Sequence, residues 1–243
     1  MTVIVKECIA IFVSLRTSLW ILTLLIILAL AGAVVMPAHE EFQSINSAPL
    51  FQWLPEQSLS GTWWLWAAIG LLVLLSANTL FCSIESIIRK RHAEQWLFVI
   101  SPQVIHVGFL FILVAHLMTG ISGFKAMAEA REGTELSLTD DTLVQIKNIT
   151  ISSDSVGNMT DWSVGIEYLS HGEAVKRDMI MPNKPSFFSR GIGIYVRDLK
   201  TFPDEAVLLE VSKEPGALWA LIGGALFAAG TGMLVVLKMK REG

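Results

Sequence analysis

The chain has 243 residues, 53% of them hydrophobic and only 16% charged, with a mean hydropathy of +0.56 and a formal net charge of -4. Soluble domains average about 45–50% apolar and about 25% charged residues, so an ordinary soluble enzyme is excluded, as is disorder, which needs the opposite balance. The acidic balance excludes a nucleic-acid binder, and the 2 cysteines form neither a CxxC nor a disulfide framework.

In chain order, the N-terminal stretch IVKECIAIFVSLR, which carries Cys8, is amphipathic and suits the inner membrane surface. Thr17 to Ala38 contains no Asp, Glu, Lys or Arg, and about 20 such residues cross the hydrocarbon as a helix. The rival reading is a cleaved signal peptide, flanked by Lys6 and Arg16 and ending in the small residues Ala31-Gly32-Ala33. The apolar core is longer than the usual 7–15 residues, about 20, which favours a retained helix over 17–38. An acidic loop follows, with Glu40, Glu41 and Glu56, and His39 reads as solvated. Gln57 to Ile84 holds a second span, about 62–86, with Cys82 as a small buried apolar residue. The basic run Arg89-Lys90-Arg91-His92 precedes a third span, about 97–123.

The composition changes at Lys125. Trp162, Val164, Ile166 and Tyr168 alternate with polar or small residues, as do Val144 and Ile146, whose phase shifts near Asn148 as at a bulge. Val207, Leu209 and Val211 make another alternation. Turns are marked by Asp154 to Asn158, His171-Gly172, Pro182-Asn183 and Pro185. About six short strands in a small antiparallel sheet or sandwich are expected. The last span lies in Ala217 to Leu237, where Gly224 and Gly232 suit close helix approach, within the chain or to a partner.

The expected fold is therefore a membrane protein of four transmembrane α-helices, with one extracytoplasmic all-β domain inserted between helices three and four. Residues 1–124 form the three-span region, 125–213 the β-domain, and 214–243 the fourth helix and a cytoplasmic tail. Lysines and arginines flank the first span at its start and follow the second and fourth, so both termini are placed in the cytoplasm. Trp63, Trp64, Trp66 and Trp219 suit an outer interfacial belt and Trp96 an inner one.

No GxSxG, P-loop or HExxH motif is present, and the β-domain's single histidine, His171, makes a hydrolytic triad a poor reading. The informative residues are His106 and His116 in the third span, because an ionisable group within a span is a functional candidate. They lie about 15 Å apart along the axis and about 80° apart around it, so they do not share a face. Neutral imidazole is a good axial ligand for haem iron; the alternative is a histidine bonded to a neighbouring helix as packing glue. The other three spans contain no histidine. A bis-histidine haem here would need a ligand from a partner, a second copy or a different axial residue.

The order of parts resembles the ResB (CcsB) family of System II cytochrome c biogenesis. VSLRTSLWILTLLIILALAGAVVMP looks like that family's first span, and TWWLWAAIGLLVLLSANTLFCSIESIIRK is similar to its second. VIHVGFLFILVAHLMTGISGFK resembles the third, with a His-x-Gly start at His106-Val107-Gly108. MTDWSVGIEYLSHGEAVKRDMIMPNKPSFFSRGIGIYV resembles the outer domain, with Asn183 and Pro185 as its Asn-x-Pro, and Pro215-Gly216 resembles the lead into the last helix. The outer domain is compact beside that of many family members.

The resemblance implies a subunit of a haem-export and cytochrome c synthetase complex in the bacterial cytoplasmic membrane. Such a subunit works with a CcsA-type membrane protein to carry haem b outward for covalent attachment to apocytochrome c, as part of a holocytochrome c synthase rather than a catalyst by itself. The family's third-span histidine maps onto His106, which would bind the haem iron together with a partner's histidine; His116 is a lesser candidate. Trp63-Trp64-Leu65-Trp66 lacks the Asp of the partner's WWD segment. Without a CxxC of its own, the system needs a separate thioredoxin-like thiol reductase. The alternatives are a haem-free membrane scaffold whose β-domain binds an extracytoplasmic partner, and a quinol-oxidising cytochrome b subunit.

Overall fold

The computed structural model describes residues 14–90, 96–139, 141–155, 159–188, 191–200 and 205–242. Cys8, Lys6, Arg91 and His92 lie outside them, as does part of the turn expected at Asp154 to Asn158. Four helices are long and apolar enough to cross a membrane: α1 (Leu15–Ala38), α3 (Leu59–Lys90), α4 (Trp96–Ser122) and α5 (Ala217–Glu242). The chain divides into two compact units, a helical one and one made of Asn46–Pro49 and Ser122–Pro215.

In the helical unit, Ser14 caps α1 by accepting the Thr17 N–H on its side-chain oxygen at 3.2 Å. The segment expected as an acidic loop after α1 is instead structured. It carries 3-10 turns at Glu40–Ser44 and Leu54–Glu56 and the short helix α2 (Leu50–Trp53). The cause is aromatic packing: the Phe42 ring lies 5.5 Å from that of Trp53 and 6.0 Å from that of Trp64, centroid to centroid. The Trp53 indole N–H also donates to Ser44 Oγ at 3.0 Å. Trp64 is buried and packs its ring against Gly32 of α1, so only Trp63 and Trp66 of that run remain on the exposed surface expected of a belt.

Helices α4 and α5 meet through small residues spaced by seven. On α4 these are Ser101, Gly108 and Ala115, all buried; on α5 they are Gly223 and Gly230, preceded by Gly216. A Cβ added at Gly108 would sit 2.6 Å from the Phe227 nitrogen and 2.7 Å from the Gly223 oxygen. A seven-residue repeat keeps one seam facing its partner along both helices, and small side chains let the backbones approach. Gly224 and Gly232 face open space, so of the two approaches expected of them the one within the chain is not made.

The second unit is a β-sandwich of eight strands among the described residues, two more than the alternations suggest. One antiparallel sheet has the order β1 (Phe124–Ala130), β8 (Ala206–Lys213), β7 (Ile192–Lys200), β6 (Ser186–Phe188). The other runs β2 (Glu135–Thr139), β3 (Thr142–Ser153), β4 (Met159–Ser170), β5 (Glu173–Ile180). Val144, Ile146, Val164, Ile166 and Tyr168 from one sheet share a single core with Ile194, Val207 and Leu209 from the other, as inward-facing residues of a sandwich do. The register slips between Ile146 and Asn148, the bulge that the phase shift anticipates. His171 and Gly172 both have positive φ, 50° and 85°, the backbone of the tight turns that join strands with a right-handed twist.

Candidate functional site

The second half of α3 is rich in small polar residues, and Asn78, Cys82 and Ser86 repeat every fourth position on one face. Asn78 is fully buried, and its Oδ1 accepts from Ser18 Oγ of α1 at 2.6 Å. The Cys82 thiol also reaches Asn78 Oδ1, at 3.9 Å. One turn of α4 then brings Gln103 and His106, three residues apart, to the same side. These helices line a partly open cavity of about 610 Å³, walled by Ser18 of α1, by Asn78, Thr79, Cys82 and Ser86 of α3, and by Gln103 and His106 of α4. Phe98 and Pro102 complete the α4 wall. Pro102 has no N–H to give the Phe98 carbonyl, which loosens the helix there.

His106 is half-buried, and its Nδ1 is hydrogen-bonded to Ser83 Oγ at 2.8 Å, a link between α3 and α4. Occupation of Nδ1 leaves Nε2 as the nitrogen available to a ligand, and the ring forms part of the cavity wall. Gln103 is only 8% exposed, and its Oε1 is buried without a hydrogen-bond partner. An unpaired buried acceptor costs about 1–3 kcal/mol. Among the described residues the lining contains no Lys, Arg, Asp or Glu.

His116 is elsewhere. Its side chain is exposed, and its Nδ1–H donates to the Ile112 carbonyl at 2.8 Å, within its own helix. It does not line the cavity. His171 is exposed at the tip of the β4–β5 hairpin, and no group of three His, Cys, Asp or Glu arranged to hold a metal ion occurs among the described residues.

Sequence reasoning singled out His106 but not Ser83, Asn78 or Gln103. For Ser83 and Asn78 the signal was present as the neutral polar residues Ser76, Asn78, Thr79, Ser83 and Ser86, in the half of the second span nearest the basic residues. Polar residues within a span mark interhelical contacts.

No protein-family model matches the chain, and no curated protein does. Among solved structures it is similar to a protein described as cytochrome c heme lyase CcmF, at 14% identity and a TM-score of 0.45. The match covers 91% of this chain and 34% of the other, so the chain spans about a third of that protein's length. A likeness this distant carries no argument about activity.

Proposed function

We propose that this chain is a ResB-type subunit of a complex that carries haem across the cytoplasmic membrane and supports its attachment to apocytochrome c. The observation that supports it most is His106, in a cavity wall between helices, with Nδ1 held by Ser83 and Nε2 left over. Metal-ligating histidines characteristically have the second ring nitrogen hydrogen-bonded in this way. The sequence resemblance, which places the family's third-span histidine at this residue, supports the same reading.

The residues present suit haem as cargo. A volume of about 610 Å³ falls within the range of small-molecule sites. Leu15, Phe98 and Val99 offer apolar surface to a macrocycle. Hydroxyls of Ser18, Thr79 and Ser86 and the Gln103 amide offer neutral hydrogen bonds. Among the described residues the wall holds no cation, so the propionates would need counter-ions outside it, such as the arginines Arg16 and Arg89 that flank the spans in the sequence. His106 would bind the iron together with a histidine of a CcsA-type partner. The β-domain, on the outer side in this orientation, would keep apocytochrome c near the site of attachment, raising its effective concentration. Thiol reduction falls to a separate thioredoxin-like protein.

The test is co-expression with a CcsA-type protein, purification and the haem spectrum. His106→Ala is expected to remove most bound haem and cytochrome c maturation, and His116→Ala to leave both close to wild type. Unchanged haem and maturation in His106→Ala would overturn the reading. One observation favours the haem-free scaffold instead: the Ser83–His106 bond joins two helices and is also what packing glue looks like. That reading expects a colourless complex and full function without either histidine.

A further inference from the structure

Hydroxyl groups on apolar helices normally satisfy themselves on their own backbone. Thr23 donates to the Leu19 carbonyl at 2.8 Å, Ser76 to that of Leu72 at 2.7 Å, and Thr231 to that of Phe227 at 2.8 Å, each four residues back. Ser83 departs from this pattern. It is only 8% exposed, and its hydroxyl crosses from α3 to Nδ1 of His106 on α4. We infer that Ser83 is a positioning residue for iron ligation: its hydroxyl oxygen accepts the Nδ1–H of His106, which fixes the ring and leaves the Nε2 lone pair directed at the metal. This rests on the proposal that His106 binds haem.

The chemistry follows from the imidazole. A neutral ring carries one proton, so a nitrogen that binds iron must be the one without it. A serine hydroxyl can accept from Nδ1–H, whereas an apolar side chain in its place leaves the ring free to rotate and to exchange tautomers. The bond also puts electron density on the ring, strengthening the ligand to ferric iron. Loss of such a partner costs about 10–100-fold in metal affinity in well-studied sites.

Threonine and valine at position 83 have nearly the same shape and differ in the hydroxyl. The full-length protein in detergent is titrated with haemin, following the Soret band, and the midpoint potential of the bound haem is measured. Ser83→Thr is expected to stay within a few-fold of wild type. Ser83→Val is expected to bind haemin about 10–100-fold more weakly and to hold what it binds at a higher potential. Ser83→Ala, which removes the hydroxyl without added bulk, carries the comparison if the valine variant does not accumulate. If His106→Ala loses haemin but the hydroxyl-bearing and hydroxyl-free variants agree in affinity and potential, the role of Ser83 is wrong and His106 still stands as the ligand. If wild type and His106→Ala behave alike, the haem reading itself falls, and this inference with it.

Discussion

The two units of the chain are packed in opposite senses. The β-sandwich buries Val144, Ile146, Val164, Ile166 and Leu209 and puts its charges outside or in pairs. The helical unit leaves Leu30, Val34 and Leu221 between 64% and 75% exposed, while its buried positions include Thr62, Asn78, Ser83, Ser101 and Gln103. Water drives apolar groups inward. In lipid that force between helices vanishes, and small residues and interhelical hydrogen bonds take over. The contrast therefore says more than the apolar composition: one unit is built for hydrocarbon around it and the other for water.

The largest expected effect tests what holds the helices together. A side chain at Gly108 has nowhere to go, because the atoms in its way are α5 backbone. Gly108→Leu should destabilise the full-length protein in detergent by about 3 kcal/mol or more, as overpacking does at its severe end. Gly224→Leu, on the open side of α5, should stay within about 0.5 kcal/mol of wild type. Thermal unfolding of the two variants side by side checks this, and equal losses would remove the seven-residue seam as the cause.

The next effect belongs to the water-facing unit and is read in its pH dependence. Asp178 is held down to about 2, chiefly by the Ser186 hydroxyl donating to it at 2.6 Å, against the opposing effect of burial, with Lys176 and the Met179 N–H also lowering it. The carboxylates of Glu167, beside Lys147 and Arg177, and of Glu210, beside Arg197, are also lowered. A depressed carboxylate stabilises the fold above its unfolded pKa, and that contribution is lost as pH falls through the folded value. Between about pH 4 and pH 2 the β-domain should lose about 2 kcal/mol through Asp178 alone. Asp178→Asn should be less stable at neutral pH and should flatten this part of the profile. Strand and helix signals followed separately by circular dichroism would show whether acid acts first on the sandwich.

How much of this could be read from residues alone differs between the units. Strand faces follow from period two, so Val164, Ile166 and Tyr168 pointed inward and even the slip at Asn148 was visible. Strand β6, three residues long, and β1, whose side chains are mostly exposed, carry too little alternation to be seen. In the helices, charge-free length marks the spans, but a polar residue in a span can turn to its own carbonyl, as Ser76 does, or to a neighbour, as Ser83 does. Only packing decides between them. The same holds for the glycines of α5: Gly223 and Gly224 are adjacent in sequence, one against α4 and the other open.

The smallest expected effect, that of Tyr168→Phe, belongs to a relay inside the sandwich. Ser186 Oγ lies 2.8 Å from the Tyr168 hydroxyl and gives its own proton to Asp178. Its oxygen must therefore accept from Tyr168, and the chain of donors runs from the tyrosine through the serine to the carboxylate. Tyr168 is fully buried, with its ring stacked on Phe188 at 4.6 Å. Tyr168→Phe keeps that stack and the serine–aspartate bond and removes one neutral donor, so it should cost about 1 kcal/mol. Ser186→Ala severs both bonds and leaves the tyrosine hydroxyl buried without its acceptor, so its cost should be clearly larger, about 2–3 kcal/mol. The ordering is the sharp part. If Tyr168→Phe proves the more damaging at neutral pH, the relay runs in another direction, and the low pKa of Asp178 needs a different donor.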